Sequence, residues 1–87
     1  MRIISQDGKC DYPYENSTLF IDYMDGRVIN IVPSTGGCKG TKIATYSTEE
    51  KAVKAMEMLR KAWKFETGIY HRNIIFQFPQ DDDERLN

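Results

Sequence analysis

YSTEEKAVKAMEMLRKAWKFETG, residues 46 to 68, carries the signals of a complete helix from cap to stop. Ser47-Thr48-Glu49-Glu50 has the form of a capping box, with Ser47 as the cap and Glu50 three residues further on. Behind it Ala52, Ala55, Met56, Leu59, Ala62 and Trp63 recur at spacings of three and four, which places them on one stripe of a helix. Gly68 supplies the left-handed stop. The pattern predicts one amphipathic helix over residues 48 to 67, packed on one face of a sheet. Lys54, Glu57, Arg60, Lys61 and Lys64 fall on the opposite side, as expected of a solvated face with internal charge pairs. Met58 and Phe65 lie beside that polar side, where they could pack against a sheet edge or another subunit.

The segments on either side read as strands. Arg2 to Ser5 is a short β-type run, and Asp7-Gly8 is turn chemistry that leads to a return strand at Lys9 to Tyr12, stopped by Pro13. Ser17 to Tyr23 and Arg27 to Val32 form a second predicted hairpin about Asp25-Gly26, and Lys42 to Tyr46 and Asn73 to Phe78 complete the set. The fold class expected is α+β, a mostly antiparallel sheet of about five or six short strands with one helix. Residues 1 to 79 form a single domain in this reading. Residues 80 to 87, with Asp81, Asp82, Asp83 and Glu84, are expected to be an acidic, disordered tail.

A chain of 87 residues supports one core, and a domain this small gains from oligomerisation, so a homo-oligomer is expected. The tail takes four of the 13 acidic residues and one of the 12 basic ones, leaving the body at 9 acidic and 11 basic. So even a balance disfavours a nucleic-acid partner, which would require a pronounced basic face. No apolar run approaches the ~20 residues of a membrane span, and Met1 to Ser5 has no signal-like apolar core. The expectation is a cytoplasmic protein with no membrane partner and with Cys10 and Cys38 as reduced thiols.

Catalysis is poorly supported. His71 is the sole histidine, and although Cys10 or Cys38 could meet it in space, no spacing in the chain points to that, so no catalytic residue is assigned. No cofactor is implied. Asp81 to Glu84 lacks the alternating ligands and glycine of a calcium loop, so no metal site is assigned either. The segment Gly36-Gly37-Cys38-Lys39-Gly40-Thr41-Lys42 is the most suggestive feature. Its glycines let backbone amides converge on an anion, while Lys39, Thr41 and Lys42 add charge and a hydroxyl. It leads into a strand and so is not a Walker loop; it is either a phosphate-binding nest or a plain strand connection. Tyr70 and Arg72, on either side of His71, could stack on a base and pair with a phosphate. The candidate ligand-binding set is therefore Gly36, Gly37, Lys39, Gly40, Thr41, Lys42, Tyr70 and Arg72.

The opening MRIISQDG with Pro13-Tyr14-Glu15, the segment Ala44 to Trp63 and the closing FQFP followed by acids resemble a family of short, uncharacterised proteins of phages and prophages of Gram-positive bacteria. The resemblance implies a viral protein acting in the host cytoplasm. That setting suggests a non-enzymatic counter-defence role, in which the protein binds and sequesters a small phosphorylated nucleotide serving as a host immune signal. The alternatives are an inhibitor that binds a host defence protein directly and a small structural phage protein.

Overall fold

The computed structural model describes residues 1–33, 40–65 and 75–87, the side chain of Phe65 excepted. Its elements are β1 (Arg2–Ile4), β2 (Asp11–Pro13), a 3-10 turn (Tyr14–Asn16), β3 (Ser17–Ile21), β4 (Val28–Pro33), β5 (Thr41–Thr45), α1 (Glu49–Phe65), β6 (Ile75–Gln77) and a closing 3-10 turn (Glu84–Leu86). The fold is α+β, with one helix and six strands among the described residues.

The strands divide into two sheets of three, ordered β2-β1-β6 and β3-β4-β5. The second is antiparallel throughout, with Leu19 opposite Ile31 and Ile29 opposite Ala44. In the first, β1 runs antiparallel to β2 but parallel to β6, with Ile3 opposite Phe76. That parallel pair departs from the single sheet read from the hairpins. Hairpins declare themselves locally, whereas a parallel neighbour requires a long crossover and joins segments more than 70 residues apart. Pro13 stands inside β2, which is tolerated because β2 is an edge strand.

The two expected turns are built differently. Gly8 adopts φ +77°, a conformation open to glycine, and its N–H donates to the Ser5 carbonyl at 2.9 Å. At the second turn Asp side chains hold the chain. Asp22 accepts from the Met24 and Asp25 amides at 2.8 and 3.2 Å, and Asp25 accepts from the Arg27 amide at 3.0 Å.

Ile3, Ile29, Ile31, Ile43, Ala44, Tyr46, Ala52, Ala55, Met56, Leu59 and Phe78 form one buried cluster drawn from both sheets, α1 and the chain beyond β6. The radius of gyration, 12.5 Å, is close to the ~12 Å expected of a compact body of this length. Among the helix residues read as core, Ala52, Ala55, Met56 and Leu59 are buried, while Ala62 and Trp63 are half-buried, Trp63 packing its ring 5.0 Å from that of Tyr14. The helix cap is Thr48, whose hydroxyl accepts from the Lys51 amide at 3.2 Å, one residue later than the capping box placed it.

The C-terminal segment is not the disordered end its composition predicts. Leu86 is 2% exposed and belongs to the core cluster. Asp81 accepts from the Ser47 amide at 2.7 Å beside the N-terminus of α1, where negative charge is favoured, and the Lys51 ammonium donates to the Asp81 carbonyl at 2.7 Å. Gln80 donates to the Gln6 carbonyl at 2.6 Å, and the buried Tyr46 hydroxyl donates to the Pro79 carbonyl at 2.8 Å. Burial, and then the charges of Asp81 and Asp83, push the Tyr46 phenol above its ordinary pKa, so it remains a donor. Composition misleads here because one apolar side chain and a few directed hydrogen bonds suffice to dock a short acidic peptide.

Candidate functional site

Three of the eight candidate residues fall among the described residues. Gly40 leads into β5 where the backbone passes close over β3 and β4. A Cβ there would stand 3.3 Å from both Cβ of Asn30 and Cζ of Phe20, so the close approach favours glycine. Beneath it Asn30 is buried and donates from its amide nitrogen to Asp22 at 2.7 Å, which holds the Asp22 carboxyl below its usual range. Thr41 and Lys42 follow as exposed residues of β5. The Lys42 ammonium adds a small contribution to the lowered pKa of Asp25, which comes mainly from the Arg27 guanidinium at 3.0 Å. Gly36, Gly37, Lys39, Tyr70 and Arg72 lie outside the described residues, as do Cys38 and His71. Cys10 is an exposed free thiol.

The structure also brings together a set of residues that the sequence did not. A cleft of about 730 Å³ lies beside the C-terminal half of α1, lined by Met58, Lys61, Ala62 and Lys64 of the helix, Phe76 of β6 and Arg85 of the closing turn. Its apolar side is firm, because the half-buried Phe76 ring meets the buried Phe78 ring edge-on at 5.3 Å and 87°. Its rim is cationic. Lys61 and Lys64 are exposed and, among the described residues, form no ion pair. Arg85 is different, since its guanidinium holds Asp83 at 2.7 Å and depresses that carboxyl to about 2.

The residues of the cleft come from positions 58 to 64, 76 and 85, so no local motif announces it. Met58 carried the one available signal, as an apolar residue displaced from the core stripe toward the polar side. The lysines read as an ordinary solvated face because their apolar neighbours arrive from β6 and the C-terminal turn.

Another exposed apolar feature lies at the tip of the β3–β4 hairpin. Tyr23 and Met24 are 94% and 95% exposed, and the Tyr23 ring stacks on Phe20 at 6.0 Å. Among the described residues no three His, Cys, Asp or Glu side chains are grouped to hold a metal, and no helix is long and apolar enough to cross a membrane. No family model, no curated protein and no solved structure matches this chain.

Proposed function

We propose that this is a non-enzymatic binding protein that holds a phosphorylated nucleotide reversibly and unchanged. In the cytoplasm of a phage-infected bacterium, such binding sequesters a nucleotide-derived immune signal. The observation that carries the reading is the cleft beside α1, which joins an apolar side to a cationic rim in a volume within the ~300–1,000 Å³ of small-molecule sites. A nucleotide has the matching chemistry, a flat base at one end and a phosphate at the other. Ala62 and Phe76 would take the base, with Lys64 and Arg85 answering the phosphate. In this reading α1, laid across one face of the sheet, is a wall of the site. The Gly36 to Lys42 segment with Tyr70 and Arg72 is a second source of amides and charge for the same class of ligand.

Calorimetry with a panel of cyclic and linear nucleotides, ADP-ribose derivatives included, tests this. At least one should bind and be recovered chemically intact. Lys64→Ala or Arg85→Ala should each weaken it by about 1.5 kcal/mol, the lower end for a charged hydrogen bond because the rim is open to water. Parallel Lys39→Ala, Lys42→Ala and Arg72→Ala variants report on the glycine-rich segment. If no nucleotide binds, the reading is refuted.

A second reading, an inhibitor that binds a host defence protein directly, is favoured by Tyr23 and Met24, large apolar side chains held in water at a hairpin tip. It predicts that Tyr23→Ala with Met24→Ala abolishes activity against the host while leaving the fold intact.

A further inference from the structure

The outer face of α1 has a charge order that suits one particular partner. The helix, 17 residues or about 25 Å long, presents Glu50, Val53, Lys54, Glu57, Met58 and Lys61 at helical spacings of three and four along one continuous stripe. Glu50, Lys54, Glu57 and Lys61 are exposed, Val53 is 42% exposed, and Met58 is half-buried. Toward the N-terminal end Glu49, Glu50, Lys54 and Glu57 surround Val53, whereas toward the C-terminal end Lys61 and Lys64 lie about Met58. Among the described residues none of Glu50, Lys54, Glu57 and Lys61 forms an ion pair, although two Glu-to-Lys pairs at spacing four are available within the helix.

We infer that this face is an interface between two copies of the chain, which pair α1 against α1 in antiparallel fashion about a two-fold axis. In one register Glu50 faces Lys61 of the second copy, Lys54 faces Glu57 and Val53 faces Met58, and the two-fold makes each contact twice. A parallel in-register pair would instead set Glu50 against Glu50 and Lys61 against Lys61, so the charge order selects the antiparallel arrangement. A uniformly acidic or basic partner would match only half of the stripe, which is why a second copy fits it best. Because Lys61 is taken up by Glu50, Lys64 and Arg85 are the cations left to the cleft; the inference itself does not depend on a nucleotide binding there. A contact of about three helical turns is at the low end of specific interface sizes, so the dimer is weak and salt-sensitive.

Sedimentation of the full chain at low salt, up to concentrations on the order of 100 μM, tests the interface. The wild-type chain should show a monomer–dimer equilibrium. Glu50→Lys and Lys61→Glu should each weaken it by about tenfold, since each sets like charges opposite one another. An equimolar mixture of those two variants should restore the dimer, because every charge then meets its opposite. Lys54→Glu mixed with Glu57→Lys provides the same test at a separate position, should one of the first two fold poorly. Lys9→Glu, a reversal away from α1, should leave the equilibrium unchanged. A strictly monomeric wild-type chain, variants that associate as it does, mixtures that fail to recover, or an equal loss with Lys9→Glu would each overturn the inference.

Discussion

Replacing Leu86 by Ala asks whether the C-terminal turn is part of the fold. Leu86 is 2% exposed and packs in the cluster that includes Ile3, Leu59 and Phe78. Burying a leucine side chain stabilises by roughly 1.5–3 kcal/mol, and truncation to Ala in a rigid core costs about 2–5 kcal/mol once the cavity is counted. The terminal turn can shift to fill part of the space, so the expected loss is about 2–3 kcal/mol. For a chain of this length, with a total stability of roughly 4–13 kcal/mol, that is a large fraction. Urea denaturation followed by circular dichroism reads it directly. With m of about 1.5 kcal/mol/M, toward the low end of the ~1–3 kcal/mol/M range, the midpoint should fall by about 1.3–2 M at unchanged m. A fall of less than roughly 0.3 M would mean that the segment contributes nothing and that its acidic composition described it correctly after all.

Three further outcomes follow from the same structure. The Asp83 carboxyl, held to about 2 by Arg85, and the Asp81 carboxyl, lowered first by the Ser47 amide, both sit below their ordinary value of 3.8. Their contribution is therefore present above pH 4 and is lost as pH falls toward 2, so midpoints measured across that window should drop, and less steeply in Asp81→Asn with Asp83→Asn. Gly8→Ala should cost about 1–2 kcal/mol in thermal or urea unfolding, because φ +77° strains any residue with a Cβ; an unchanged midpoint would contradict that backbone assignment. Trp63→Ala should cost about 2–3 kcal/mol, below the value for a fully buried tryptophan because Trp63 is half-buried, and the wild-type emission maximum should lie between those of buried and solvated indole.

Legibility of the candidate site was partial for a physical reason. A glycine-rich run with Lys39 and Lys42 is visible as a string, because backbone amides and cations that converge on an anion can all come from one segment. The cleft beside α1 is not, since Phe76 and Arg85 reach it from other elements and its apolar character exists only where they meet Met58 and Ala62. The sequence likewise showed Met58 as misplaced without saying what it met.

Features set by interactions within a few residues are legible in the chain alone. The spacing of Ala52, Ala55, Met56 and Leu59 makes a helix with one buried stripe, Asp7-Gly8 makes a turn with positive φ, and two aromatic and β-branched runs about Asp25-Gly26 make β3 and β4 a hairpin. The remaining features depend on groups far apart in the chain. Only a folded body can set β6 parallel to β1, split the strands into two sheets, bring Asp81 to the N-terminus of α1 and bury Leu86. Each of those is a long-range contact whose loop-closure cost is met by burial elsewhere, and nothing in the local sequence records which distant surface will supply it.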